Sequence, residues 1–201
     1  KGIDLLIQAA KNLPDTAIIV IAGDGDLRQT YKNLSVKLNL QEKIIFVGTI
    51  AQNELPKFYQ AADLVAIPST AATECFSLVA IEAMASGTPV IVSDWPGLRV
   101  TPDQYSGLIV KSGNLDDLTE KINFLLNNEQ LNQQFGLAAR KRVENYFDWQ
   151  KICQNITRAY QDLISSTPPK KICLIISIFS PYTRGGAETV VKNIVAEFKN
   201  K

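Results

Sequence analysis

Short runs of apolar, largely β-branched residues recur through the first 110 residues of the chain, and each run ends within two residues of Gly, Pro or Ser. The runs cover residues 17–22, 44–47, 64–67, 89–92 and 107–110. Segments that are apolar at nearly every position are typical of strands covered on both faces, as in a parallel sheet. This feature constrains the fold most, because such strands require further elements packed above and below them.

Amphipathic stretches lie between these runs and after them. They predict helices over residues 3–12, 27–38, 54–61, 78–86, 115–126, 130–145 and 150–164. Alternation of strand and helix predicts an α/β domain with a Rossmann-like, doubly wound parallel sheet over residues 1–164. Ligands of such domains bind at the carboxyl ends of the strands, so the Gly, Ser and acidic residues after each run are candidates for function.

A change of composition follows at residues 165–170, where two prolines in a polar stretch predict a linker. Beyond it, a strand over residues 172–177, a turn at Gly185 and Gly186, and a helix over residues 187–199 form one βα unit. That unit is too short to fold alone, so we expect residues 171–201 to be the truncated start of another domain. Both ends look cut, which predicts a fragment of a longer protein.

Composition limits the chemistry that is available. The chain has 201 residues, a net charge of +1 and no His, so reactive groups must be carboxylates, Lys, Arg, hydroxyls, thiols or backbone dipoles. The even charge balance gives no argument for nucleic acid. The three cysteines form no CxxC pair, which argues against a zinc or redox site and fits a reducing compartment. No apolar run reaches membrane-spanning length, so we expect a cytoplasmic location.

Two carboxylates eight positions apart are the main candidates for function. Glu74 follows the run at 64–67, and Glu82 lies inside the next predicted helix. The N-terminus of that helix carries unpaired N–H groups and a partial positive charge, which can bind a pyrophosphate without a basic side chain. The two acids could then hold hydroxyls on either side. Two alternatives stay open: ordinary solvated and helix-stabilising acids, or an acid/base pair for hydrolysis.

This segment resembles the family 4 (group 1) glycosyltransferases, which have the GT-B fold. The matching residues are Glu74, Phe76, Leu78, Glu82, Ala83, Met84, Ala85, Gly87, Pro89 and Val90. Supporting matches lie at residues 1–6, 21–27, 46–48, 59–63 and 147–149 and at Tyr160. The resemblance implies that residues 1–164 are the nucleotide-sugar-binding half of a GT-B fold.

The resemblance also implies roles for the residues around Glu74. Glu74 would bind a hydroxyl of the donor sugar and stabilise positive charge at the anomeric carbon. The N–H groups of Phe76, Ser77 and Leu78 would bind the diphosphate, and Glu82 would bind the ribose hydroxyls of the nucleotide.

Further site residues follow from the same resemblance. Lys1 matches the family's diphosphate-binding lysine and would neutralise the leaving group. Thr49 and Ile50 would lie against the base, and Gly23 would allow close backbone approach near the phosphates. The glycines of the C-terminal βα unit, Gly185 and Gly186, resemble the loop of an N-terminal GT-B domain that faces the diphosphate. They would serve a second transferase, joined in tandem.

The predicted function is transfer of a sugar from a nucleoside diphosphate sugar to a glycan, lipid or small-molecule acceptor. The resemblance implies retention of anomeric configuration, no metal ion and no cofactor besides the substrate, and it leaves peripheral membrane contact open. Two alternatives are a non-catalytic nucleotide-sugar-binding module and a sugar-nucleotide epimerase. We expect the isolated chain to be inactive, since a GT-B site forms between two domains.

The sequence also departs from the family's pattern. The Arg that usually precedes Lys1, and the first strand of the domain, are missing. The spacing from Ser69 to Glu74 is longer than usual, and Cys75 and Ser77 stand where Pro and Gly are commoner. Of these departures, Cys75 and Ser77 affect the expected contacts with the donor sugar more than those with the phosphates.

Overall fold

The computed structural model of the chain describes residues 1–72, 74 and 76–165. In chain order its elements are α1 (Ile3–Ala9), β1 (Ile19–Ala22), α2 (Arg28–Lys37), β2 (Ile44–Gly48), α3 (Leu55–Ala61), β3 (Val65–Ile67), α4 (Leu78–Ala85), β4 (Val90–Ser93), α5 (Pro96–Arg99), β5 (Gly107–Val110), α6 (Leu115–Leu126), α7 (Glu129–Tyr146) and α8 (Trp149–Ser165). The strand expected at residues 172–177, the Gly185 and Gly186 turn, and the helix expected at 187–199 lie outside the described residues.

All described strand pairs are parallel, as the apolar runs predicted, so the α/β class is confirmed. The pairs form two sheets, with β1 beside β2 and, separately, the order β3-β4-β5. The sequence predicted one sheet. The difference arises at β3, which has three residues and pairs with β4 alone among the described strands. One hydrophobic core still joins the two sheets, and it includes Ile19, Ile44, Ile91 and Val110.

Among the described strands, β4 is the one whose residues are all buried. Helix α1 contributes Leu5, Ile7 and Ala9 to the core of the unit, and α6 contributes a second apolar stripe at Leu118, Ile122 and Leu125. Helices α1 and α6 pack against each other. The three α6 positions are four and three residues apart, which is the spacing that keeps apolar side chains on one helix face.

Local signals explain where α4 begins and ends. The Ser77 hydroxyl accepts a hydrogen bond from the Ala80 N–H at 3.3 Å, so Ser77 is the N-cap. Past its end, Gly87 has φ of +83°, the left-handed conformation that commonly closes a helix. The Thr88 N–H then donates to the Ala83 carbonyl at 3.0 Å. The predicted helix at 78–86 is therefore confirmed nearly to the residue.

Two local predictions differ from the structure. The first predicted helix continues only to Ala9 as an α-helix and then tightens into a 3-10 turn over Ala10–Asn12. Helix α5 was not predicted, because four residues are too few to show a helical period. Its first residue is Pro96, whose fixed φ suits a helix start.

The chain divides into two compact units, Lys1–Glu144 and Asn145–Lys201. The first contains both sheets. In the second unit, the structure describes the end of α7 and helix α8. Near the start of α8, the Asp148 carboxylate accepts a hydrogen bond from the Lys151 N–H at 3.1 Å. The domain boundary predicted after residue 164 stays a prediction. None of the described helices combines the length and the apolar character needed to span a bilayer.

Candidate functional site

The candidate site lies at the carboxyl ends of the parallel strands in the first unit. Strand β1 leads into Gly23, and β2 ends at Gly48, which Thr49 and Ile50 follow. The Gly23 N–H donates to the Gly48 carbonyl at 2.7 Å, so the first two loops are held side by side. Gly23 has φ of +115°, a conformation that side-chain-bearing residues rarely adopt.

Lys1 and Glu74, which are 73 positions apart in the chain, form an ion pair. The distance from Lys1 Nζ to Glu74 Oε1 is 2.6 Å. The Glu74 side chain is 14% exposed, whereas that of Lys1 is 68% exposed. The sequence assigned both residues to one site, and the structure brings them together. The carboxylate is therefore sheltered, while the ammonium group stays accessible to a ligand.

Close packing at Gly2 places Lys1 at this site. Gly2 has φ of +71°, and a Cβ built on it would lie 1.8 Å from the Pro68 carbonyl oxygen. Only glycine lets the start of α1 approach the loop after β3 this closely. Glu74 belongs to that loop. The contact between Gly2 and Pro68 therefore also fixes the position of the Lys1 backbone relative to Glu74.

The root of the same loop is anchored at the Ser69 carbonyl, which accepts two side-chain hydrogen bonds. One comes from Trp95 Nε1 at 2.9 Å, just after β4, and the other from Ser112 Oγ at 3.1 Å, just after β5. Ser69 is only 3% exposed. The ends of β3, β4 and β5 are thus tied at one point. The sequence did not identify these anchors, although both follow predicted strands closely.

The start of α4 faces the loop that carries Glu74. Because Ser77 caps the Ala80 N–H, the donors that remain at the start of the helix are those of Ser77, Leu78 and Val79. The helix dipole adds a partial positive charge. Amides in this arrangement are suited to an anionic ligand such as a diphosphate.

Glu82 lies one turn further along α4 and is half-buried. Its Oε2 accepts a hydrogen bond from the hydroxyl of Tyr59 on α3 at 3.0 Å. Burial raises the pKa of the Tyr59 hydroxyl far above its ordinary value, and the Glu82 carboxylate raises it further. The sequence placed Glu82 in the site but gave no role to Tyr59. Its only signal was its position in the supporting match at residues 59–63.

Side-chain hydrogen bonds join three of the predicted residues and Tyr59 into two pairs. Lys1 and Glu74 form the first, and Glu82 with Tyr59 forms the second. Among the other predicted positions, Gly185 and Gly186 lie outside the described part of the chain. Within residues 1–72, 74 and 76–165, no three His, Cys, Asp or Glu side chains come together as metal ligands would.

The comparisons with known proteins give a consistent result. The family model "Glycosyl transferases group 1" matches residues 1–142. The chain is 34% identical over 164 residues to the uncharacterized glycosyltransferase MJ1607 of Methanocaldococcus jannaschii, covering 80% of this chain and 42% of that protein. It is also 34% identical over 179 residues to a D-inositol 3-phosphate glycosyltransferase of Corynebacterium aurimucosum, covering 84% of this chain and 42% of that protein.

Solved structures show the same likeness. Sucrose-phosphate synthase from Thermosynechococcus elongatus superposes with a TM-score of 0.73 and 33% identity, over 82% of this chain and 43% of that one. Anabaena HepE in complex with UDP gives a TM-score of 0.75 and 28% identity, over 81% and 46% of the two chains. The chain spans less than half the length of the curated relatives it matches. Together with the parallel strands and the helices between them, these matches establish that the chain belongs to the group 1 glycosyltransferase family and has the α/β architecture of the GT-B enzymes.

Proposed function

We propose that this chain supplies the donor-binding half of a glycosyltransferase, which transfers a sugar from a nucleoside diphosphate sugar to an acceptor with retention of anomeric configuration. The observation that carries the proposal is the Lys1–Glu74 ion pair at the strand ends, beside the first turn of the helix that bears Glu82. Membership of the group 1 family supports it. So does the similarity to HepE, which has been solved in complex with UDP-glucose.

Leaving-group stabilisation is the first part of the proposed mechanism. When the bond from the anomeric carbon to the diphosphate breaks, negative charge grows on the diphosphate oxygens. The amides of Phe76, Ser77 and Leu78 and the ammonium group of Lys1 would receive that charge. Removing one preoriented donor of this kind typically costs about 3 kcal/mol of transition-state stabilisation. Neither Lys1 nor the backbone amides require a metal ion for this role.

Glu74 would act on the other side of the breaking bond. As the diphosphate leaves, positive charge develops at the anomeric carbon, and a sheltered carboxylate next to it is stabilising. A new bond then forms to the acceptor oxygen, and the proton of the acceptor hydroxyl would pass to an oxygen of the departing diphosphate. Glu74 would also bind a hydroxyl of the donor sugar, which orients the ring for the reaction.

The nucleotide would lie along the remaining strand ends. Glu82 would accept hydrogen bonds from the ribose hydroxyls, Thr49 and Ile50 would contact the base, and Gly23 would let the backbone approach the phosphates. Gly185 and Gly186 are proposed to belong to a second transferase module. The acceptor, a glycan, lipid or small molecule, would be bound by other parts of the full-length protein, and contact with a membrane surface is compatible with this arrangement.

Calorimetric titration of the full-length protein with UDP, GDP and ADP tests the donor site. We expect one of the three to bind, and Glu82→Gln to weaken its binding about 10- to 150-fold, the loss expected for one hydrogen bond to a charged group. Glu120→Gln, an exposed acid on α6, is the matched control and should bind normally. The proposal fails if no nucleoside diphosphate binds, or if both variants bind like the wild type.

An assay with radiolabelled donors distinguishes transfer from the alternatives. We expect label to appear on an acceptor, and Glu74→Gln to reduce the rate by about 100-fold or more while nucleotide binding persists. Binding without transfer under any acceptor tested would favour a non-catalytic module. A product formed from the donor in the absence of an acceptor would favour an epimerase.

A further inference from the structure

The hydrogen bond between Tyr59 and Glu82 joins two helices that belong to successive strand–helix units. Tyr59 lies in α3, before β3, and Glu82 lies in α4, after it. The phenol oxygen is 3.0 Å from Glu82 Oε2, and the two residues are 23 positions apart in the chain. Within the described residues, no other side-chain hydrogen bond to the Glu82 carboxylate is found, so the phenol is the hydrogen-bonding group that fixes its direction there.

Tyr59 is itself held in place from the far end of α4. The Thr88 hydroxyl donates to the Tyr59 carbonyl oxygen at 2.6 Å. Thr88 is 3% exposed and directly follows Gly87, which closes α4. The chain from Glu82 to Thr88 therefore contacts Tyr59 twice, once at the side chain and once at the backbone. Because Tyr59 is held at both points, its phenol has little freedom to move away from the Glu82 carboxylate.

The protonation state of Tyr59 fixes the direction of this hydrogen bond, in which the hydroxyl donates and Glu82 accepts. Burial and the nearby negative charge of Glu82 both raise the pKa of the Tyr59 hydroxyl, so it remains a donor at any physiological pH. Glu82 Oε2 is thus an acceptor already in use. Oε1 is left to accept from a ligand, and the carboxylate plane cannot turn without losing the bond to Tyr59.

We propose that Tyr59 is a positioning residue, which fixes the Glu82 carboxylate for recognition of the ribose 2′- and 3′-hydroxyls. This inference rests on the role proposed above for Glu82. A glutamate side chain that is fixed before the ligand arrives loses less conformational entropy on binding. Tyr59 does not touch the nucleotide in this arrangement. Its effect should therefore depend on the presence of the ribose hydroxyls.

The test compares Tyr59→Phe with the wild-type full-length protein, and Tyr31→Phe in α2 is the control. Tyr31 is also half-buried, but it packs against the core away from α4. The ligands are the nucleoside diphosphate that binds best among UDP, GDP and ADP, and its 2′,3′-dideoxy form. Phenylalanine keeps the ring and removes only the hydroxyl, so the packing of α3 is preserved.

We expect Tyr59→Phe to weaken binding of the ribonucleotide about 3- to 10-fold and to leave binding of the dideoxy form unchanged. In steady-state assays, KM for the donor should rise by a similar factor while kcat stays near the wild-type value. Tyr31→Phe should change neither ligand's affinity. An equal loss for both nucleotides, or a lower melting temperature with unchanged discrimination, would show that Tyr59 only packs α3 against α4.

The outcome for Glu82→Gln separates the two proposals. If Glu82→Gln does not reduce discrimination between the ribonucleotide and its dideoxy form, the proposed role of Glu82 is wrong. If Glu82→Gln abolishes discrimination and Tyr59→Phe retains it fully, only the positioning role of Tyr59 is overturned.

Discussion

The two sheets differ in how completely their neighbours cover them. All residues of β4, in the three-stranded sheet, are buried. In the two-stranded sheet, one face remains open, since Val20 of β1 is 49% exposed and Ile45 of β2 is 47% exposed. At the strand ends, the three-stranded sheet is tied through the Ser69 carbonyl, whereas the two-stranded sheet has a backbone bond from Gly23 to Gly48.

This difference in burial between the two sheets corresponds to a difference in the proposed roles of the residues at their ends. The carboxylates Glu74 and Glu82 both follow β3, in the closely packed half. The half with the open face offers backbone and loop positions, at Gly23, Thr49 and Ile50. In the proposed arrangement, the two carboxylates therefore lie on the better-packed scaffold, and the positions proposed to contact the base lie at the ends of the less covered strands. Four experiments test this comparison.

The largest expected effect is on stability. Ile91→Ala removes a fully buried side chain from the centre of β4 and should lower the free energy of unfolding by about 2–5 kcal/mol. Ile45→Ala removes the same atoms from an exposed position and should cost less than about 1 kcal/mol. Denaturant titration of the full-length protein measures both. Equal losses would show that the two sheets are equally well covered.

Two glycines with nearly the same backbone angle give a second comparison. Gly2 and Gly48 have φ of +71° and +74°, so alanine at either should cost about 1–2 kcal/mol through backbone strain. A Cβ on Gly2 would also collide with the Pro68 carbonyl, while the nearest atom to one on Gly48 is 3.6 Å away, at Arg28. Gly2→Ala should therefore raise KM for the donor more, because Lys1 is displaced. Equal changes in KM would contradict this.

The anchor at Ser69 gives a smaller effect. Trp95→Phe removes the indole N–H and, among the described residues, leaves Ser112 as the remaining side-chain donor to the Ser69 carbonyl. We expect a loss of about 0.5–1.5 kcal/mol in unfolding free energy and a lower rate of sugar transfer. Trp149→Phe, in the second compact unit, is the control and should leave transfer unchanged. If Trp95→Phe lowered stability without changing the rate of sugar transfer, the Ser69 anchor would have no role in the proposed site.

The smallest effect is a response to acid. Burial would raise the pKa of Asp103, but hydrogen bonds from the Ser106 hydroxyl and the Tyr105 N–H, together with Arg142, hold it below its ordinary value. Because the folded pKa is depressed, its contribution is fully present above the unfolded pKa, about 4, and is lost as the pH falls through the folded value. Asp103→Asn should flatten the acid side of a stability–pH profile, and a profile unchanged from that of the wild type would contradict this.

Much of this fold was predictable because its signals are local. Buried parallel strands carry unbroken apolar, β-branched runs, and α4 is bounded by Ser77 and Gly87, whose backbone preferences are strong. The paired acids Glu74 and Glu82 were recognisable from their spacing and neighbours. Their proposed roles rest on the family resemblance, and the experiments above test them.

The parts that could not be predicted depend on contacts between distant segments. No local pattern states that Trp95 and Ser112 share one acceptor at Ser69, or that Tyr59 reaches Glu82. Division of the strands into two sheets depends on which strand edges pair with each other. The amino-acid composition of a strand does not indicate its pairing partner. Helix α5 was missed for a different reason, since four residues cannot display a period.

Both ends of the loop from Ser69 to Ser77 are fixed: the two serines are 3% and 1% exposed, one accepting bonds from two neighbouring strand ends and the other capping α4. Residues inserted between two such clamps need not disturb the scaffold, and the entropy of closing a loop rises only slowly with its length. The longer spacing along the chain from Ser69 to Glu74 is therefore a change that the fold tolerates. Variation in this loop would alter the groups next to Glu74, the proposed contact of the donor sugar, while the sheets beneath stay the same.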